Sequence, residues 1–198
     1  EECPALRRAT PAAEISGCCS NWLDLPHGRH LTLKEKPWEV HALATYDLII
    51  VGGGIGGSAL ATVMARAGRS VLLLEQSDVY EDRVRGEWIA PWGVVEVQRL
   101  GLYDRLRAAG GHHITRHVTY DEPLDPAAAE ASALPLGIFK EGVPGPLCLG
   151  HPLHCQTLFD AAREAGAVAL RGVRVVGVAA GERPAVTYEH EGQVHEAS

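Results

Sequence analysis

"TYDLIIVGGGIGGSALATVMARAGRSVLLLEQ", residues 45–76, is the stretch whose reading decides the fold. A short apolar run, 47–51, ends in three glycines, as in a strand buried on both faces. Residues 55–68 follow with helical spacing, which offers Leu60, Val63, Met64 and Ala67 to one face and ends on Gly68. "SVLLLEQ", 70–76, is a second buried strand. Strand, helix and strand make a βαβ unit of the usual ~30 residues, with a right-handed crossover expected.

The turn between strand and helix carries Gly52, Gly54 and Gly57, a GxGxxG pattern. That string alone is weak, but here strand, helix, second strand and acid stand in register around it. Gly52 permits a tight exit from the strand, and Gly54 lets backbone approach a diphosphate. Gly57, with Ala61, brings helix close to sheet. The helix N-terminus offers free N–H groups and the positive end of its dipole to an anion. Glu75 closes the second strand where an acid accepts hydrogen bonds from a ribose diol, with Gln76 beside it as a further candidate. An acid there disfavours a 2′-phosphorylated nucleotide. The unit cannot choose between FAD and NAD, since both carry adenosine diphosphate.

The segment after the second strand adds information. "DRVRGEWIAPWG", 82–93, brings Arg83 and Arg85, either of which could reach the phosphates or ribityl chain of an extended cofactor. Trp88 and Trp92 flank this loop, and packing or a half-exposed anchor is favoured over a ligand wall. Residues 94–110 read as a helix broken at Gly101, and "HHITRHVTY", 112–120, alternates like a strand. Residues 121–150 are loop-rich. "HPLHCQTLFDAAREAGA", 151–167, is a helix with Leu153, Leu158, Phe159 and Ala162 along one side and Gly166 at its end. A short strand at 168–172 leads into three strand-like segments separated by Gly-Glu and Glu-Gly turns, which predict an antiparallel meander.

Composition narrows the classes. The 198 residues carry a formal net charge of −7, which argues against nucleic acid as a partner. No apolar run is long enough to span a bilayer and no basic leader opens the chain, so a cytoplasmic location is expected. Five cysteines without a CxxC pair argue against a disulfide framework. His112, His113, His117, His151 and His154 lack carboxylate or thiol partners at ligand spacing, so no metal site is expected. Residues 1–45 show no period and read as an irregular or non-native extension. The absence of an initial Met and the strand-like "EGQVHEAS" at the end suggest a fragment.

From about Tyr46 onward the chain resembles the FAD-dependent aromatic-ring hydroxylases and squalene epoxidases, the superfamily of p-hydroxybenzoate hydroxylase. Three features carry the likeness. They are "DLIIVGGGIGGSALATVMARAG…VLLLEQ", "DRVRGEWIAPWG" followed by "LGLYDRL", and "HPLHCQTLFDAAREAGAVALRGVRVVGV". The resemblance implies an α/β, Rossmann-like FAD-binding domain, in which a βαβ unit and parallel sheet are joined by an antiparallel β-meander. It implies that 46–111 and 150–198 form an incomplete FAD-binding domain and that 112–149 begins a substrate-side region. Glu75 would bind the adenosine ribose and Arg83 would lie near the cofactor, with Arg85 an alternative. NAD(P)H would reduce the flavin and O2 would be split on it, one oxygen going to a small organic substrate; the cofactor carries that chemistry. Relatives with reductase, dehydrogenase or halogenase activity share the fold, and a nucleotide-binding remnant is a third reading. The family follows its meander with a Gly-Ala-Asp-Gly strand and later a Gly-Asp motif. This chain contains neither Gly-Asp nor Asp-Gly. The resemblance thus implies a truncated member, inactive by itself.

Overall fold

The computed structural model describes residues 44–82, 87–123 and 125–198. Arg83 and Arg85 lie outside the described residues, as do 1–43 of the extension. In chain order the elements open with β1 (Leu48–Val51), α1 (Ile55–Arg66) and β2 (Val71–Leu74). Next come β3 (Trp88–Ile89), α2 (Pro91–Arg99), α3 (Tyr103–Ala108), β4 (His112–His113) and β5 (Arg116–His117). Then α4 (Pro126–Ala131), β6 (Leu134–Pro135), a 3₁₀ turn (Leu136–Phe139) and β7 (Leu147–Cys148) lead to α5 (His151–Glu164). The chain closes with β8 (Val168–Leu170), β9 (Arg174–Ala179), β10 (Ala185–His190) and β11 (Gln193–Ala197).

β1, β2 and β8 form a parallel sheet with β2 in the middle. Parallel neighbours need a crossover, and α1 and α5 supply the helices for it. All four residues of β2 are buried, because layers cover both faces. Val71 and Leu73 join Ile50, Ala61, Phe159 and Ala162 under the helices. Leu72 and Leu74 join Val173, Val186, Tyr188 and Ala197 under the meander. The alternation along one strand thus builds a three-layer stack of helices, parallel sheet and antiparallel β9–β10–β11. Ala44 extends the meander by pairing parallel to Ala197, and the Tyr46 N–H donates to the Ser198 carbonyl at 2.7 Å.

The βαβ unit, the break at Gly101, the third parallel strand and the meander follow the sequence reading. The inward face of α1 and the place of Leu153 on α5 do not. The inward face of α1 is Ser58, Ala61 and Thr62, while Leu60 is 47% exposed. Close packing on the sheet selects small residues, and both hydroxyls bond backbone carbonyls: Ser58 Oγ to Gly53 O at 2.7 Å, Thr62 Oγ1 to Ser58 O at 2.8 Å. On α5, Leu153 is 47% exposed, and His154 and Cys155 face inward with Leu158, Phe159, Ala161 and Ala162. "HHITRHVTY" is two strands of two residues in different sheets, since Ile114 and Thr115 connect β4 to β5. Residues 112–149 are tied to the rest through β7, which pairs with both β3 and β4. Val143, Leu147 and Leu149 share a core with Val94, Leu102, Leu106 and Leu158.

Candidate functional site

The glycine turn after β1 holds the three patterned glycines in different environments. Gly52 has φ +103°, where only glycine is comfortable, and its N–H donates to the Leu74 carbonyl at 2.7 Å. A methyl group on Gly57 would overlap the Gly52 carbonyl oxygen and touch Ile50, so α1 starts against the strand only because that methyl is missing. Among the described residues, a methyl group on Gly54 would meet nothing within 4 Å. Gly54 caps α1 without any side-chain hydrogen bond, and no acid lies in the first turn. Among the described residues no side chain claims the first N–H groups of the helix, and they stand available to an anion that approaches that side.

Sequence reasoning missed Gly53, the middle glycine of the run. A Cβ there would crowd the Glu75 Cβ at 2.8 Å and the Phe159 ring at 3.0 Å. Its N–H donates to Glu75 Oε2 at 2.6 Å, and its carbonyl accepts from Ser58 Oγ and from the Tyr80 hydroxyl. The triple glycine was the available signal, because GxGxxG leaves its second position unrestricted.

Glu75 is buried at the end of β2. Its backbone is fixed to the end of β8 by N–H donation to Leu170 O at 2.9 Å and to the turn after it by acceptance from Val173 N at 3.0 Å. Its other carboxylate oxygen, Oε1, accepts from Ser77 N at 2.8 Å. Each carboxylate oxygen has two lone-pair sites, so this group, held by two N–H bonds, keeps acceptor capacity on both oxygens. Gln76 beside it is exposed.

Gly54, Glu75, Ser77, Tyr80, His151 and Cys155 line a solvent-open cleft of about 160 Å³. That is below the ~300–1,000 Å³ of whole small-molecule pockets, so it suits one end of an extended ligand. Tyr80 is half-buried against Phe159, with ring centroids 6.4 Å apart and edge-on at 73°. Burial pushes its phenol up to about 12 against the pull of Arg171. His151 and Cys155, one turn apart on α5, reach the same cleft, with Nε2 and Sγ 3.6 Å apart. Neither was a cofactor candidate in the sequence.

The remaining candidates lie elsewhere. His113 accepts from the Tyr103 hydroxyl at Nε2 (2.9 Å) and donates from Nδ1 to the Gly145 carbonyl (2.7 Å), which fixes its tautomer. His117 stands in another sheet. His154 is 6% exposed, and its Nε2 has no hydrogen-bond partner among the described residues. Trp88 and Trp92 are both exposed. Trp88 sits across from Cys148, with His112 on the far side of the same strand. These three line a second cleft of about 390 Å³. Gly150 borders that cleft and His151 borders the first, so the two adjoin at the start of α5.

Comparison with known proteins gives a consistent result. A family model described as the FAD binding domain matches residues 45–196. Squalene monooxygenase of Rattus norvegicus is 41% identical over 75 residues, 38% of this chain and 13% of that protein. Squalene epoxidase erg1 of Aspergillus fumigatus is 48% identical over 60 residues, 30% of this chain and 12% of the relative. The solved structure of a myxobacterial chondrochloren halogenase superposes with a TM-score of 0.63 at 27% identity, covering 78% of this chain and 35% of that one. A p-nitrophenol 4-monooxygenase from Pseudomonas putida gives 0.66 at 16% identity, over 78% and 39% respectively. The matched part of the chain thus spans well under half the length of these relatives.

Proposed function

Since the chain belongs to the FAD-binding domain family, within the superfamily of FAD-dependent hydroxylases and squalene epoxidases, we propose that it is the FAD-binding portion of a monooxygenase. The whole enzyme would use NAD(P)H and O2 to hydroxylate or epoxidise a small organic molecule. The observation that supports this best is Glu75, fixed by two N–H groups in the wall of the cleft that begins at the glycine turn. Its spare acceptor sites suit a ribose diol. The open space over Gly54 and the uncapped start of α1 suit the diphosphate. The residues present therefore fit the adenosine-diphosphate end of FAD.

In this reading Gly52 shapes the turn, Gly57 seats the helix, and Gln76, Arg83 and Arg85 add contacts along the cofactor. Residues 46–111 and 150–198 hold it, and 112–149 opens the substrate side. When bound, FAD supplies the redox chemistry with NAD(P)H and O2. The residues of this chain would bind it and orient it. A cytoplasmic location goes with the reading; among the described residues no helix is long and apolar enough to cross a membrane. A second reading, a halogenase relative, draws on the 27% identity to the chondrochloren halogenase.

Purification of the 198-residue chain tests the first reading. The expected product carries a flavin absorption band after desalting and shows no substrate-dependent NAD(P)H oxidation. A colourless chain that takes up no added FAD sinks the cofactor assignment. Oxygenated product from this chain alone sinks the view that it is only a portion of the enzyme.

A further inference from the structure

We propose that Arg171 and Tyr80 form a positioning pair that holds the Gly53–Gly54 peptide so that the Gly54 N–H faces an anionic ligand. The inference rests on reading the cleft as a diphosphate-nucleotide site. A trans peptide is planar, and its C=O and N–H point to opposite edges. The Gly53 carbonyl is turned toward the Ser58 and Tyr80 hydroxyls, which both donate to it. The N–H of the same peptide belongs to Gly54 and must point away from both donors. Gly54 lines the cleft, with open space around its missing side chain.

A peptide between two glycines flips easily, because neither residue has a Cβ to restrict φ and ψ. Ser58 belongs to α1 and travels with it. Tyr80 lies on the loop after β2 and ties the turn to a separate part of the fold. Its ring needs a fixed position for that, and Arg171 provides it. The guanidinium lies 4.2 Å over the Tyr80 ring centroid and 4.6 Å from that of Phe159. One nitrogen, Nη1, donates to the Asp78 carbonyl at 2.9 Å, and the other, Nη2, donates to Gln156 Oε1 at 2.8 Å. Arg171 thus joins the end of β8, the loop after β2 and α5 through one planar group. It lies outside the cleft wall and acts on the ligand only through Tyr80. Burial keeps the Tyr80 phenol protonated, and so a donor, throughout the working pH range.

The test compares ADP with adenosine on the full 198-residue chain, by calorimetry, for the native protein and for Tyr80→Phe, Arg171→Ala and Arg171→Lys. Tyr80→Phe is expected to weaken ADP binding roughly fivefold to tenfold, the scale of one lost hydrogen bond, and to leave adenosine within about twofold. Arg171→Ala should do the same. Arg171→Lys should recover only part, because an ammonium keeps the charge without the planar stack and fork. The double variant Tyr80→Phe/Arg171→Ala should be no weaker than Tyr80→Phe, since both changes act on one peptide. Equal losses for adenosine and ADP, or additive losses in the double variant, overturn the proposal. A readout without ligand separates it from the functional reading: ¹⁵N relaxation dispersion at Gly54 should rise in Tyr80→Phe. Unchanged relaxation overturns the positioning pair. Failure of the native chain to bind ADP overturns the nucleotide reading, and with it the role given to the Gly54 N–H.

Discussion

Gly54 and Gly57 lie one turn apart, and alanine should separate what they do. At Gly57 the added methyl collides with the Gly52 carbonyl, so α1 has to shift. Gly57→Ala is expected to lower stability by about 1–3 kcal/mol, read by urea denaturation. At Gly54 the methyl meets none of the described residues, and φ is −69°. Gly54→Ala should stay within about 0.5 kcal/mol of the native protein yet weaken FAD binding at least tenfold; a loss of stability without a loss of affinity would contradict the assignment. His154 gives a second residue-scale prediction. Burial first, and then His151, lowers its pKa from an ordinary 6.5 to about 4. Between those values the unfolded chain binds more protons than the folded one. Stability is therefore full above about pH 6.5 and falls as pH drops toward 4, by about 3 kcal/mol in all. His154→Leu should flatten the dependence in that window, and an unchanged slope would place its origin elsewhere. The structural roles of Gly52 and Gly57 could be read from the sequence because GxGxxG stands at a fixed spacing between a strand and a helix. Those of Gly53, Tyr80 and Arg171 could not, because they arise from contacts that reach across as many as 93 positions of chain.

Helix existence was easier to read than helix orientation. Gly68 and Gly166, with φ of +77° and +101°, end α1 and α5 where the sequence placed the stops. The face of α1 was misjudged because hydrophobicity was the guide, while the helix–sheet distance was the constraint; on α5 only Leu153 was misplaced. α1 lies close enough to the sheet that Ala61 has no exposure at all, and a Leu would not fit there. The pieces between 112 and 149 were illegible for another reason: strands of two residues carry no period to detect. The β10–β11 hairpin was legible from Glu-Gly, and the structure shows the reason. Glu191 has φ +51° and Gly192 φ +77°, so both central residues adopt the left-handed conformation of a tight two-residue turn. Glutamate is a poor occupant of that position. Glu191→Asn or Glu191→Gly is expected to raise the denaturation free energy by about 0.5–1 kcal/mol, and a decrease in melting temperature would argue against this turn.

At the scale of the whole molecule, ligand binding and folding are coupled. The cleft draws on the loop after β1, the end of β2 and the start of α5, so a ligand there stabilises all three at once. ADP or FAD at a hundredfold excess over Kd should add about 2.7 kcal/mol in a single transition, whereas riboflavin, lacking adenosine diphosphate, should leave the melt unchanged. Two transitions, only one of them responding to ADP, would mean that the layers unfold separately. The order of elements was readable from the βαβ unit and the turn spacing; the layering, and the way the layers share material, was not. β2 gives Val71 and Leu73 to the helical side and Leu72 and Leu74 to the meander. For anyone recombining this domain with a relative, four residues therefore act as a two-sided seam. A chimera that imports the helices must bring matching residues at 71 and 73, one that imports the meander must match 72 and 74, and a crossover point placed inside 71–74 breaks the fit on both sides.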